Sequence, residues 1–97
     1  MSFENRGGIP RVFRVTTDAV GGQHNFLAVT KYLQISNEGG DMLRVYFTEQ
    51  DYTADQNYIS LAAVTGFFDG PVEAQSIWFR ADTTTTDLFM VSYHRRG

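Results

Sequence analysis

The stretch Lys31–Thr48, KYLQISNEGGDMLRVYFT, decides how the chain reads. Leu33 and Ile35 fall on one face of an extended run, and Leu43, Val45 and Phe47 fall on one face of another. Between them, Asn37-Glu38-Gly39-Gly40-Asp41 contains glycines able to take the positive φ of a short reversal. Two alternating runs around a glycine-containing loop predict an antiparallel hairpin, and with it an all-β domain.

Upstream, the run His24–Ile35 is long for one strand. Its odd positions are Leu27, Val29, Lys31, Leu33 and Ile35, with Lys31 the polar exception. A bulge near Thr30-Lys31 would rotate the lysine outward, and the alternative is two shorter strands. Arg11–Thr17 alternates with Phe13 and Val15 on its apolar face, and Gly21-Gly22 marks a turn after it. Met1–Pro10 has no periodicity and reads as an extended arm, either frayed or lying on a neighbouring subunit through Phe3 or Ile9.

Downstream, Glu49–Asn57 is acidic and turn-rich, and it reads as an exposed connection. Tyr58–Ala63 points Ile59, Leu61 and Ala63 inward, and Asp69-Gly70-Pro71 signals a turn. The strand ending at Ala81 sets Ile77 and Phe79 against Trp78 and Arg80. Thr83–Thr86 is a polar connection, and Leu88–His94 sets Phe89, Val91 and Tyr93 against Leu88 and Met90. No stretch carries apolar residues at helical spacing. The expected fold is a single antiparallel β-sandwich, jelly-roll-like, of six to seven short strands over residues 11–97, preceded by the arm over 1–10.

The 97 residues make one domain, which buries roughly 60–65% of its unfolded surface. Aromatic residues make up 14% of the chain, a high share that suits a small core or an interface. The net charge of −3 argues against non-specific nucleic-acid binding, and the only basic cluster is His94-Arg95-Arg96. With no cysteine, disulfides and thiolate metal sites are ruled out. The polar start lacks a signal-peptide pattern, and no apolar run is long enough to span a bilayer.

A search for converging catalytic groups assembles none. His24 and His94 are the only imidazoles and lie in different elements, and there is no Gly-x-Ser-x-Gly turn. Glu49, Asp51, Asp55 and Asn57 could offer oxygens to calcium, but the central glycine and terminal glutamate of a calcium loop are missing. They read as a solvated loop. Gly21-Gly22 and Gly39-Gly40 lack the following helix of a phosphate cradle and read as turn glycines. No catalytic residue, metal or cofactor is expected, and the chain reads as a non-enzyme. Tyr46, Tyr52, Tyr58 and Trp78 could stack on a neutral glycan, which keeps a small glycan-binding module as an alternative.

One pattern points beyond the single chain. A sandwich sheet keeps one face wet, so its strands should alternate cleanly. Here Met42 and Tyr46, then Trp78, then one side of the Leu88–His94 strand are apolar where water is expected. Another protein chain covering that outer face would account for it, as would the long acidic loop folding over it.

From Lys31 to Gly97 the pieces run LQISNEGGDMLRVYF, NYISL, GPVEAQSIWFRAD, a short polar turn, and a last strand ending YHRRG. In this order they resemble small virion proteins of tailed bacteriophages, with Gly-Pro-Val-Glu-Ala before Ile-Trp-Phe-Arg the most distinctive part. The resemblance is one of layout and leaves the N-terminal third unaccounted for. It implies a capsid decoration or cement protein, made in the host cytoplasm, that binds the major capsid protein on the virion surface. It also implies a homo-oligomer, a trimer being the expected form, with no nucleic-acid or membrane partner. Tail, collar and fibre components of the same fold are the nearest alternative. The expected contact residues are Phe3, Ile9, Trp78 and Arg80, with Arg95 and Arg96 behind them.

Overall fold

The computed structural model describes residues 9–94. Phe3, Arg95 and Arg96 lie outside the described residues, and Ile9 is the first residue of the first strand. In chain order the elements are β1 (Ile9–Asp18), β2 (Gly22–Asn37), β3 (Leu43–Tyr46), α1 (Glu49–Ala54), β4 (Ile59–Leu61), β5 (Phe67–Ala81) and β6 (Thr85–His94). All strand pairings are antiparallel, in the order β1-β6-β2-β5-β3-β4.

The long strands β2 and β5 bend and serve two layers. The second half of β2 lies between β6 and the start of β5, from Tyr32 opposite Pro71 to Ser36 opposite Phe67. The first half of β2 pairs with the end of β5, Gly22 opposite Phe79, and that part of β5 also carries β3. The corner is a pair of register shifts, between Asn25 and Thr30 and between Thr30 and Tyr32. So the bulge expected at Lys31 is present, within one continuous strand. The two layers face each other across one core, with Leu33, Ile35, Leu88 and Met90 on one side and Leu43, Val45, Ile77 and Phe79 on the other. The fold is an all-β, sandwich-like domain.

Three sequence expectations need correcting. β2 and β3 do not form a hairpin, because β5 lies between them. The Asn37–Asp41 segment instead crosses from one layer to the other. Alternation decides which face a residue takes but not which strand lies beside it. Asp69-Gly70-Pro71 is no turn but part of β5, where Pro71 stands on an edge that β3 leaves uncovered. The Glu49–Asn57 connection contains α1, whose N-cap Thr48 accepts a 3.1 Å bond from the Asp51 amide and whose first turn carries Glu49 and Asp51.

The apolar outer face is also largely accounted for within the chain. Tyr46, Leu88 and Met90 are fully buried, while Met42 and Trp78 are half-buried. In β6, Leu88 and Met90 take the core side, while Phe89 and Val91 are half-exposed. Tyr46 is covered by the acidic connection, whose Tyr52 ring lies 5.4 Å away, and not by a second chain.

Candidate functional site

Asn37, at the end of β2, is fully buried and joins three segments. Its Nδ2 donates to the carbonyls of Asp41 at 2.7 Å, Leu61 at 3.0 Å and Ala62 at 3.2 Å. Its Oδ1 accepts from the Thr86 hydroxyl at 2.6 Å and the Gly39 amide at 3.2 Å. A buried amide with both ends satisfied ties loops together with little strain. What it holds is the turn from β4 to β5, AAVTG, whose backbone is pinned by Asn37 N to Gly66 O and Val64 N to Gly39 O, both 2.9 Å. Gly66 is required there, since a Cβ would come within 2.4 Å of the Ala62 amide nitrogen.

This turn and the first residue of β5 present apolar side chains to water. Val64 is 67% exposed and Phe67 57% exposed. Val64 also has φ +68°, a left-handed conformation in which a β-branched residue is disfavoured by roughly 1–2 kcal/mol. Strain of this kind, held by a rigid support, concentrates at functional sites. The glycine of this turn is legible in the sequence. The position of Val64 is not, because nothing local marks a valine for positive φ.

A second concentration of chemistry lies on the outer face of β3 and β5 beneath α1. The Tyr46 hydroxyl donates to Asp55 Oδ1 at 2.5 Å, and burial first, then this bond, pushes its pKa up to about 12. Arg44 bridges Asp82 at 2.6 Å and Asp55 at 3.3 Å and lies 5.2 Å from the Tyr58 ring. Arg80, expected as a contact residue, donates from Nη2 to the Tyr52 carbonyl at 3.0 Å, with its guanidinium 4.6 Å from that ring. It holds α1 against the sheet. Trp78 stands between Gln23 of β2 and Tyr46 of β3 in register and is half-buried. A glycan platform that includes Tyr46 does not form, since that ring is buried.

His24 sits with its ring 4.3 Å from Phe13 and 5.0 Å from Phe26, where the edge of one layer meets the other. Desolvation lowers its pKa, and its buried Nε2 has no hydrogen-bond partner. Two of the carboxylates considered for calcium are used internally: Asp51 accepts from Gln56 and Asn57, and Asp55 from Tyr46 and Arg44.

No known protein family matches the chain, and no curated protein sequence is similar to it. Solved structures do match in shape. An HTH-3 family transcriptional regulator from Vibrio cholerae superposes with a TM-score of 0.65 at 15% identity, covering 99% of this chain and 48% of the regulator. The cupin-2 domain of an XRE family transcriptional regulator from Enterobacter cloacae gives 0.56 at 9% identity, covering 90% of this chain and 83% of that domain. What is shared is the fold alone.

A third match corrects an expectation. Co(II) HppE in complex with its substrate gives a TM-score of 0.53 at 16% identity, over 87% of this chain and 43% of HppE. A fold of this shape therefore occurs within a protein that binds Co(II) and a substrate, and this overturns the expectation of a non-enzyme. The donors for such a metal do not fit here: among the described residues, no three His, Cys, Asp or Glu side chains cluster as ligands. The inward positions that face each other across the layers are instead Leu33, Ile35, Leu43, Val45, Ile77, Phe79, Leu88 and Met90. Among the described residues no helix is long and apolar enough to cross a membrane.

Proposed function

We propose that this chain is a structural protein of a tailed-bacteriophage virion, a decoration protein that binds the major capsid protein on the shell surface and stabilises it. The observation that carries this reading is the strained apolar turn supported by the buried Asn37 hub, with Val64 exposed on it and Phe67 exposed where β5 begins. The layout of Lys31–Gly97 supports the same reading. A small apolar tip gives little affinity alone, but copies on a symmetric shell act together, so weak single contacts become a firm attachment.

The test is co-sedimentation of the purified protein with empty shells of a phage that encodes it. Wild-type protein is expected to pellet with the shells. The double variant Val64→Asp, Phe67→Asp, which alters only exposed side chains, is expected to stay in the supernatant while keeping its circular dichroism. Wild-type protein that never pellets with shells overturns the reading, and pelleting with tails instead moves it to a tail, collar or fibre position.

A further inference from the structure

The sheet has ends, and they are protected unequally. β4, at one end, is three residues long. The part of β5 that β3 leaves uncovered contains Pro71, which has no N–H to offer. β1, at the other end, is ten residues long and runs beside β6 with no bulge, from Ile9 opposite His94 to Asp18 opposite Thr85. Long regular edges invite another strand, and natural proteins usually blunt them.

The outward row of β1 is Val12, Arg14, Thr16 and Asp18, and the bend that follows exposes Val20. Val12 is 60% exposed and Val20 78% exposed. From Arg14 to Asp18 the row reads basic, neutral, acidic, so it is complementary to itself when reversed. In an antiparallel pair, residues directly opposite share a face, and their charges decide which registers are tolerated. Pairing about Arg14 sets two arginines opposite each other, and pairing about Asp18 sets two aspartates opposite. Pairing about Val15 sets Val12 against Asp18. Pairing about Thr16 sets Arg14 against Asp18 twice.

We propose that β1 is a self-association edge through which two copies of this chain pair antiparallel about a two-fold axis at Thr16, with Arg14 of each opposite Asp18 of the other. The present partners of these residues leave room for this. Arg14 donates through Nη1 to Glu38 at 2.9 Å and stacks 4.5 Å from the Phe89 ring, and its fork has further donors. Asp18 uses Oδ1 for the Val20 and Gly21 amides, at 3.0 Å each, and a carboxylate has a second oxygen. Thr16 donates to Asp87 at 2.7 Å. Strand addition of this size makes a small, reversible interface. A two-fold pair is a dimer and not the trimer that the resemblance implies. This deepens the assembly reading by naming a partner, yet its test contains no shell, so either proposal can fail alone.

The experiment is sedimentation velocity of the purified full chain over a range of concentrations. Wild-type protein is expected to dimerise reversibly. Arg14→Glu alone and Asp18→Lys alone each set like charges opposite and should weaken dimerisation roughly tenfold. In an equimolar mixture of the two variants, a mixed pair restores opposite charges at both contacts. One contact sets the introduced glutamate against the introduced lysine, and the other keeps Arg14 opposite Asp18. The mixture should recover to within about threefold of wild type. Because Asp18 also closes its turn, far-ultraviolet circular dichroism and a melting curve are taken on each variant. Amide exchange of Arg14–Asp18 in wild-type protein provides a second readout, since protection there should rise with concentration. A wild-type chain that stays monomeric, a mixture no stronger than its components, or edge protection independent of concentration overturns the inference.

Discussion

Replacing Asn37 by Asp changes one atom group and almost no volume, so it isolates the polar contribution of the hub. The Asp41, Leu61 and Ala62 carbonyls now face Nδ2 at 2.7–3.2 Å, and in the variant they would face a carboxyl oxygen. An ionised carboxylate there, fully buried and opposed by three carbonyls, is strongly disfavoured. Its folded-state pKa should rise by about 3 units, which costs about 4 kcal/mol at neutral pH. A domain of this size has roughly 5–15 kcal/mol of stability in all, so the loss is a large fraction of it. The sign of the pH dependence follows. Above the unfolded pKa the unfolded chain ionises freely and the folded one does not, so each pH unit removes about 1.4 kcal/mol. Below about pH 4 both states are protonated and the charge penalty vanishes. The assay is urea denaturation of Asn37→Asp, Asn37→Ala and wild type at neutral and acid pH. Asn37→Asp should lose about 4 kcal/mol at neutral pH and recover most of it on acidification. Asn37→Ala should lose about 2–4 kcal/mol with no such recovery, because it leaves several buried groups unpaired. An Asn37→Asp deficit below about 1 kcal/mol, or one that does not shrink on acidification, refutes the hub.

Val64→Asn should leave stability unchanged or raise it by up to about 1 kcal/mol, since asparagine tolerates the left-handed conformation, while weakening shell binding. Loss of more than about 1 kcal/mol in a melting curve counts against the strain argument. Tyr46, raised to about 12, contributes stability below the unfolded tyrosine pKa of roughly 10 that is lost as pH climbs toward the folded value. Alkaline denaturation should therefore steepen above about pH 10 in wild type and less so in Tyr46→Phe. His24 has a lowered folded pKa, so stability should fall as pH drops below about 6.5, where the unfolded imidazole takes a proton first. Denaturant midpoints of His24→Phe across this range should be flatter than wild type.

Much of the core was legible. Leu33, Ile35, Leu43, Val45, Ile77 and Phe79 are inside as their alternation predicts, and the Lys31 bulge lies where the polar exception placed it. The candidate site was less legible. Gly39 and Gly66 announce turns, but the five hydrogen bonds of Asn37 connect segments up to 49 residues apart, and no local pattern encodes them. Arg80 was picked out as an arginine beside Trp78 on the face opposite Ile77 and Phe79. Its engagement with Tyr52 depends on α1 folding back over β3 and β5, a contact that spans 28 residues.

Composition and two-residue alternation determined that this is a small all-β domain and which side chains of β3, the second half of β2 and the end of β5 point inward. They also marked Thr30-Lys31 as the irregular point of the longest run. They could do so because burial acts on each strand face locally. The order of the strands, the placing of β5 between β2 and β3, the cover over Tyr46 and the exposed Val64 were decided only in three dimensions. Strand edges are chemically alike, since every backbone offers the same N–H and C=O groups. Which edge meets which is set by long-range packing and by buried polar ties such as Asn37.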